Sequence, residues 1–574
     1  MHLRKVKKKD TGRVYLSIVE SYREKGSKYP KSRTIESLGY LDDLEKQYKD
    51  PIAFFNKKIE EMNAQQAEAK SPINFIISKD EELEKGVANR KNFGYTVLSC
   101  IYHELHIHTF LINRQRHTKE KYSANAIMKL LLFSRILFPG SKRKDHESRE
   151  RFFEKFDFSL DDVYRCLTFL EARREDLQLH LHQKIQSQYG RDTSLAYYDV
   201  TNYYFEIDEQ DELRRKGVSK EHRPDPIVQM GLLCDTNGIP IAYNLFPGNT
   251  PDKSTLRPTL SKVQADYNLG KTIVVGDRGI ITADNIWYLL SAKNGYVFSL
   301  SIKGSDKAFK EYVLEPAGYR STGEEQDFII KSRLYPRTIK VTSKTGRKIP
   351  KTVHEKHVVF WSKKYADKAK AEREATLKKA RDLVKSPSRY TKSNSYGASK
   401  YIKNITFDKD TGEVLVDAKA HLYIDQDAID EEARFDGYYA IVTSEQTESD
   451  ERILEIYRRL WKIEEAFKIT KSDLASRPVF VSTEEHIRAH FLTCFFALVI
   501  ARVLEYRMGR KYPLPAMLES LRQASCSHLA QNYYLFDYFD DILDDLGRNF
   551  DIDFSKKILS LGDIKKVLAG TKKG

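Results

Sequence analysis

Two aspartates lie where apolar runs of the sequence are interrupted or end. Asp199 stands inside the run LAYYDV, and Asp277 follows the run TIVVG. Both runs are typical of buried strands. A carboxylate in such a place loses its hydration unless a partner compensates for the loss. Each aspartate therefore either caps a turn or faces a pocket and holds a cation, and the second possibility requires acidic partners elsewhere.

A third acid lies on a predicted amphipathic helix. In the segment DERILEIYRRLWKIEEAFKITKSDL, apolar residues recur at helical spacing and predict one buried stripe. Glu464 lies beside this stripe, and Tyr457 and Lys471 lie seven residues before and after it, so the three share a face. Glu465 is turned by about 100° from Glu464 and is its local rival. The alternative for a helical glutamate is a solvated surface position.

The elements around the aspartates predict how the two could meet. Between residues 194 and 304 the pattern reads as three strands, a helix, a strand, a helix and a strand. An antiparallel start followed by such alternation is the ribonuclease-H-like arrangement, which needs one more helix. Ligands of parallel sheets gather at the carboxyl ends of the strands. We therefore expect the strands of Asp199 and Asp277 to be neighbours.

The positive charge of the chain is concentrated in one segment. The 574 residues carry a formal net charge of +15, whereas residues 331–403 hold 22 Lys or Arg and five acids, a balance of +17. Such a run is usually a solvated surface. Six tyrosine or tryptophan residues are interleaved with the cations: Tyr335, Trp361, Tyr365, Tyr390, Tyr396 and Tyr401. Cations with stacking faces suit a phosphate backbone, so we expect DNA contact here.

Other features exclude several classes of protein. The longest apolar run, FLTCFFALVIARVLEY, is interrupted by Arg502 and reads as a buried core helix, so no membrane span is expected. The basic N-terminus MHLRKVKKKD lacks the apolar core of a signal peptide. The five cysteines lie far apart without a CxxC pair, which indicates a reducing cytoplasm and neither a zinc site nor a disulfide framework.

Three blocks of the sequence carry a family resemblance. YDVTNYYFE, VVGDRGI and YRRLWKIEEAFKITKSDL resemble the catalytic blocks of DDE transposases of bacterial insertion sequences. The last block is similar to the Tyr-x2-Arg-x3-Glu-x6-Lys signature of the insertion sequence 4 superfamily, and neighbouring segments resemble its insertion sequence 1634 type. Tyr457, Glu464 and Lys471 fit the signature, but Leu460 stands at the Arg position, with Arg458 as a possible substitute.

The resemblance implies a site, a cofactor and partners. Asp199, Asp277 and Glu464 would be catalytic and would hold two Mg²⁺ ions, which Mn²⁺ could replace. Thr201 shares the strand face of Asp199 and would support it. The expected contacts to double-stranded DNA, both transposon ends and target, are Tyr457, Lys471, Arg458, Arg278, Lys348 and Lys351. A homodimer on paired ends, no membrane partner and a bacterial, cytoplasmic, nucleoid-associated location complete the expectation.

The resemblance also gives the expected fold class: an α/β multi-domain protein with a ribonuclease-H-like core, a mixed sheet flanked by helices. A basic strand-rich insertion would interrupt this core, and an N-terminal helical domain would precede it. Residues 93–190 have helical patterns opened by Ser123 and Ser159, but no definite helix-turn-helix signature. The predicted units are a β-hairpin module at 1–48, a charged helical linker at 49–92, a DNA-end-binding helical domain at 93–190, the core at 191–304 and 436–500, the insertion at 305–435 and a C-terminal helical region at 501–574.

Three functions remain open from the sequence. The first is a transposase that cuts DNA at terminal inverted repeats and joins the ends to target DNA. The second is a ribonuclease-H-like nuclease that only hydrolyses. The third is a DNA-binding protein descended from a transposase without catalysis. The three acids argue against the third function, and the large basic segment argues against a small hydrolase.

Overall fold

A computed structural model describes residues 1–8, 12–22, 31–69, 80, 82, 85, 87, 89–221, 223–321, 327–386, 397–405, 421–529 and 531–572. These residues form two compact units, residues 1–85 and 86–574.

The first unit is a three-stranded antiparallel sheet followed by helices. Its elements are β1 His2–Lys7, β2 Val14–Tyr22, β3 Lys31–Tyr40, α1 Leu41–Leu44 and α2 Pro51–Ala69. β2 lies between β1 and β3, and Leu16, Leu44 and Phe55 form its small core. The predicted β-hairpin module at residues 1–48 contains β2 and β3, and residues 23–30 between these strands lie outside the described residues.

The second unit contains the other elements. Its helices are α3 Tyr95–Glu104, α4 Ile107–Gln115, α5 Ala124–Leu137, α6 Lys142–Glu147, α7 Leu160–Glu171, α8 Arg174–Tyr189, α9 Leu256–Asp266, α10 Ala283–Ser291, α11 Lys307–Leu314, α12 Lys363–Lys385, α13 Gln426–Ala433, α14 Asp450–Arg458, α15 Trp461–Lys468, α16 Glu484–Arg507, α17 Leu514–Gln523, α18 Asp541–Phe550 and α19 Leu561–Gly570. Its strands are β4 Arg90–Asn92, β5 Leu195–Tyr204, β6 Ile227–Cys234, β7 Pro240–Pro247, β8 Ile273–Gly276, β9 Gly295–Leu300, β10 Arg320–Ser321, β11 Phe328–Thr342, β12 Lys348–Ser362, β13 Ile402–Ile405, β14 His421–Ile424, β15 Tyr438–Thr443, β16 Ser525–His528, β17 Tyr533–Phe536 and β18 Ile558–Ser560.

A nine-stranded mixed sheet organises this unit. Its strand order is β10-β11-β12-β15-β9-β8-β5-β6-β7. β8 pairs in parallel with both β5 and β9, and the other pairs are antiparallel. The predicted order of three strands, helix, strand, helix and strand over residues 194–304 is confirmed.

The sheet separates two apolar cores. Because side chains alternate along a strand, Tyr197 and Tyr203 of β5 face one core, while Tyr198 and Val200 face the other. The second core is covered by α9 and α10. The first is covered by the helices of residues 93–190 together with α16. By the same alternation, Asp199 lies on the face of the first core.

The helices α3–α8 do not form a separate N-terminal domain, so that part of the fold prediction is not confirmed. The unit at the start of the chain is built on strands, and α3, α5 and α7 pack on α16, more than 300 residues later in the chain. The caps are as predicted: Ser123 opens α5, and Ser159 forms a capping box with Asp162 on α7. Helix α16 is long and apolar enough to cross a membrane, but it is buried inside the protein.

The C-terminal region is not purely helical, contrary to prediction. β16, β17 and β18 form a four-stranded sheet with β4, in the order β18-β17-β16-β4. Each of these strands has three or four residues, and β4 lies more than 400 residues before its partner β16. Such short pairings depend on tertiary contact, and local patterns do not reveal them.

The strands of the basic segment extend the large sheet and do not form a domain of their own. β11 and β12 pair over their full length, and β12 pairs with β15. The segment also contains the 23-residue helix α12, which the sequence did not predict. Tyr401 is buried and Trp361 donates to the carbonyl of Asp436, so these two predicted stacking faces serve packing. Tyr390 and Tyr396 lie outside the described residues.

A buried charge network fastens the β11–β12 hairpin to β9. Glu355 on β12 is fully buried and accepts hydrogen bonds from Arg337 at 2.7 and 2.8 Å and from the Tyr296 hydroxyl at 2.5 Å. Burial alone would raise the pKa of Glu355, but hydrogen bonds from His357, Arg337 and Tyr296 hold it at about 2. Tyr296 is on β9, so the hairpin is tied to a central strand.

Replacing Arg337 by Met should destabilise the protein because it leaves Glu355 buried without its cation, a cost of about 3 kcal/mol. The pKa of Glu355 is depressed in the folded state. The stabilisation is therefore complete above the unfolded-state value of 4.5 and is lost as the pH falls towards about 2. Melting temperatures at about pH 7 and about pH 3 should show a large gap between variant and wild type that narrows in acid. Arg347→Gln, at an exposed position of the same hairpin, is the control. A gap independent of pH would contradict this account.

Candidate active site

Asp199 and Asp277 occupy matching positions on neighbouring parallel strands. β5 pairs with β8 from Leu195–Ile273 to Tyr198–Gly276, and the next residue on each strand is the aspartate. Adjacent strands lie about 4.8 Å apart. The predicted neighbourhood of the two strands is confirmed, and it sets the two carboxylates side by side.

Ser299 continues this row on the third parallel strand. The pairing of β8 with β9 ends at Gly276–Phe298, so Ser299 is the next residue beside Asp277. Its hydroxyl donates to Asp277 Oδ1 at 2.8 Å, and the backbone N–H of Arg278 donates to the same oxygen at 2.6 Å. These two bonds fix the orientation of the Asp277 carboxylate. The sequence analysis missed Ser299, although it is a polar residue within the apolar run GYVFSL.

The carboxyl group of Asp199 lies in an environment that disfavours its charge. Burial raises the pKa of Asp199 to about 6, and the charges of Asp277 and Asp252 add to the effect, while Lys220 opposes it. Its Oδ1 accepts a bond from the backbone N–H of Val200 at 2.7 Å. Loss of hydration and two neighbouring acids are the conditions under which a bound cation would stabilise the ionised form.

Asp252 is a fourth acid at this place that the sequence analysis missed. Its Oδ2 lies 3.9 Å from the point where a Cβ on Gly279 would stand, two residues after Asp277. Burial raises the pKa of Asp252, and Lys220 opposes this as well. The segment NTPDKS looks like a turn by composition, so no sequence signal separates Asp252 from an ordinary turn residue.

The helix predicted to carry Glu464, Tyr457 and Lys471 is broken in two places. α14 ends at Arg458 and α15 begins at Trp461. At this break, the backbone N–H groups of Leu460 and Ile463 donate to the carbonyl groups of Tyr457 and Leu460, each three residues earlier, as in a 3₁₀-helix. A π-turn over Ile469–Asp473 follows α15. The prediction of one regular helix is therefore wrong, because the buried Leu460 sits at a tightened turn. Seven-residue spacing does not by itself align the three side chains.

Glu464 and Glu465 have different environments. Glu465 accepts a hydrogen bond from the buried Arg502 on α16 at 2.8 Å. Glu464 is exposed and, within the described part of the chain, has no ion pair or hydrogen bond. Glu465 is thus engaged in packing, and Glu464 is the glutamate available to a ligand.

Tyr457 lies near both Asp277 and Glu464. Burial together with the charges of Asp277 and Glu464 raises the pKa of Tyr457 to about 12, and hydrogen bonding with Ser299 opposes this rise. Helix α14 packs on β8 and β9, and α15 packs on β5 and β6. The two helices therefore cross the face of the sheet that carries Asp199.

The other residues predicted to contact DNA are dispersed. Lys471 lies in the π-turn and bonds to Glu221 at 3.3 Å, whereas Arg278 is exposed beside Asp277. Arg458 is exposed at a cleft that Lys363, Lys364 and Trp461 also line. The remaining two are at the far end of the β11–β12 hairpin, near α10: Lys348, 3.8 Å from Asp284, and Lys351, 4.9 Å from the Trp287 ring. Thr201 is buried two residues along β5 from Asp199.

The donor atoms of this site suit a divalent cation. Carboxylate oxygens are the hard ligands that Mg²⁺ prefers, and the row of Asp199 and Asp277 supplies two such groups. Among the described residues, however, no three His, Cys, Asp or Glu side chains are close enough together to hold a metal ion. Asp199 and Asp277 are thus adjacent, whereas Glu464 does not form a three-acid cluster with them in the described structure.

Two family models match the chain. Residues 3–73 match the model of the IS1634 family transposase, N-terminal domain, and residues 208–500, about half of the chain, match the transposase DDE domain. The chain is a DDE transposase of the IS1634 type. No curated protein matches it.

The matched range of this transposase includes Asp277 and Glu464, whereas Asp199 precedes its first residue. The assignment of Asp199 rests on the block YDVTNYYFE and on its position beside Asp277. DDE transposase domains generally use divalent metal ions, in keeping with the chemistry of the carboxylate row.

The two glutamates of α15 should respond differently to removal of their charge. Glu464→Gln should abolish metal-dependent DNA cleavage and leave the melting temperature unchanged, because Glu464 has no structural partner among the described residues. Glu465→Gln should retain most of the cleavage but destabilise the protein by about 1 kcal/mol, because Arg502 loses one acceptor. A nicking assay and a melting curve for each variant test this. If only Glu465→Gln loses cleavage, the catalytic glutamate is Glu465 and the assignment of Glu464 is wrong by one residue.

Proposed function

We propose that this transposase binds the terminal inverted repeats of an insertion sequence, cleaves the DNA ends and joins the 3′-hydroxyl ends to target DNA. The observation that carries the proposal is the β5–β8 register, which sets Asp199 beside Asp277 under the helices of Tyr457 and Glu464. Two adjacent carboxylates supply hard oxygen ligands for metal-dependent phosphoryl transfer, and Glu464 would complete the set.

The order and directions of the central strands of the large sheet favour a ribonuclease-H-like core. β7, β6, β5, β8 and β9 follow each other in that order, with β5, β8 and β9 parallel. α9 and α10 cover one face, and α14 and α15 take the place of the required last helix on the other. On this proposal, the strands β15, β12, β11 and β10 are an extension at the edge of the core.

Asp199, Asp277 and Glu464 would hold two Mg²⁺ ions, or Mn²⁺ in their place. When bound, such a pair activates the attacking oxygen and stabilises the leaving oxygen of an in-line displacement. The side chains of the protein position the groups. Ser299 and the N–H of Arg278 hold the Asp277 carboxylate. Thr201 supports the strand face of Asp199, and Tyr457 lies near Asp277 and Glu464.

Only part of the basic segment is available to DNA. Several of its cations are held by acids or carbonyl groups of the protein: Lys331, Arg337, Lys356, Arg373, Lys400 and Lys403. Exposed cations without an ion pair in the described structure lie on α12: Lys364, Lys370, Lys378 and Arg381. We propose that α12 grips the DNA backbone near the active site, together with Arg458, Arg278, Lys348 and Lys351.

Recognition of the terminal repeat is assigned to helices α3–α8, which lie on the same core as the active site. A homodimer on paired DNA ends and a cytoplasmic, nucleoid-associated location complete the proposal. Strand transfer distinguishes it from a nuclease, since a nuclease would nick DNA without joining ends.

Asp199→Asn should abolish nicking and joining while leaving DNA binding largely intact, because the change removes a charge from the row and keeps its shape. The assay combines a labelled terminal-repeat duplex, Mg²⁺ and a target plasmid, with binding measured in parallel. Wild type that nicks but never joins would support the nuclease, and wild type that binds without nicking would support the non-catalytic protein. Full cleavage by the variant would remove Asp199 from the site.

Replacing Lys364, Lys370, Lys378 and Arg381 by Gln should flatten the salt dependence of DNA binding. Each cation that neutralises a phosphate contributes about 0.9 to the slope of log K against log salt, so the loss should be roughly two to four units. The matched control replaces four exposed lysines near the C-terminus, Lys556, Lys557, Lys565 and Lys566, which changes the net charge equally. Equal slopes for both variants would show that α12 is an ordinary solvated surface.

A further inference from the structure

The carboxylate of Glu221 lies against the ammonium group of Lys471. Glu221 accepts hydrogen bonds from Lys471 at 3.3 Å and from Arg477. Burial alone would raise the pKa of Glu221, but the bond from Arg477 and the charge of Lys471 hold it below its usual range. Two half-buried cations thus converge on one carboxylate.

Two tyrosines of β5 support this pair of cations. The Lys471 ammonium lies 5.4 Å from the ring centre of Tyr203, and the Arg477 guanidinium lies 5.3 Å from that of Tyr204. Such cation–π contacts hold the cations in place when their anion changes. Tyr203 is four residues from Asp199 on the same strand, about 13 Å along it.

The residue before Glu221 is held at the acids. Lys220 donates to the carbonyl of Val200, the residue after Asp199, and its charge opposes the raised pKa values of Asp199 and Asp252. In the connection between β5 and β6, Lys220 therefore places a positive charge beside Asp199 and Asp252. The next residue, Glu221, places a negative charge beside Lys471 and Arg477. A metal ion at the acids and a DNA phosphate at the cations would carry charges of the same sign as Lys220 and Glu221.

We propose that Lys471 and Arg477 form a subsite for a DNA backbone phosphate and that Glu221 occupies this subsite until DNA displaces it. The proposal rests on the proposed function and adds Arg477 and Glu221 to it. A phosphodiester carries one negative charge, as the Glu221 carboxylate does, and arginine pairs with carboxylate and phosphate in the same geometry. Because the subsite lies along β5 from Asp199, it holds a phosphate that flanks the reacting one.

The direction of the effect of Glu221→Gln separates this proposal from a purely structural role. If Glu221 competes with DNA for the subsite, Glu221→Gln should bind a labelled mixed-sequence duplex roughly three- to tenfold more tightly than wild type does. A carboxylate that only positions Lys471 would give weaker binding on neutralisation. Glu206→Gln is the matched control, because it removes an exposed acid of the same connection that pairs with Arg223.

Arg477 gives an independent measurement. Arg477→Gln should weaken binding and lower the salt slope by about 0.9, the contribution of one phosphate contact, while Arg477→Lys should keep the slope. Melting curves of all variants exclude unfolding as the cause. Tighter binding of Glu221→Gln together with the slope change of Arg477→Gln supports the subsite. If wild type binds the duplex but neither variant shows its expected change, this inference is wrong and the proposed function stands. If neither wild type nor any variant binds DNA, the proposed function is wrong as well.

Discussion

The parallel pairing of β5 with β8 is the constraint on which the site depends. It ends at Tyr198–Gly276, so the next residue of each strand is an aspartate, and the pairing with β9 adds Ser299 to the same row. A shift of one residue in this register would turn one carboxylate to the opposite face of the sheet. Such a shift would also exchange the side chains that β5 presents to the two apolar cores, and the close packing of both cores opposes it.

The third acid depends on contacts from the basic segment. The N-terminus of α14 is held through Asp450, which lies 2.6 Å from Arg320 of β10 and 2.8 Å from Lys356 of β12. Helix α15 is held by the hydrogen bond that Arg502 of α16 donates to Glu465. The segment between the two halves of the core therefore contributes to structure, because it orients the helices that carry Tyr457 and Glu464. This explains why a large share of its cations face the protein.

Charge in this protein is thus divided between stability and ligand binding. Arg337 of β11 compensates the buried Glu355, whereas Lys364, Lys370, Lys378 and Arg381 of α12 remain in solvent. At the active site the charges are left partly uncompensated: Asp199 has acidic neighbours, and Lys471 shares one carboxylate with Arg477. On the proposed function, metal ions and DNA would relieve this imbalance.

The sequence determined the elements whose patterns are local. The apolar runs specified β5 to β9, the serines specified the starts of α5 and α7, and the blocks around Asp277 and Glu464 identified the family. The tertiary structure decided what depends on distant partners. The acidic helix is interrupted at Arg459 and Leu460, Glu465 is engaged because Arg502 of α16 reaches it, and β4 pairs with the distant β16. Asp252, Lys220 and Glu221 come to the site through loops, whose positions are set by long-range contacts that no local spacing encodes.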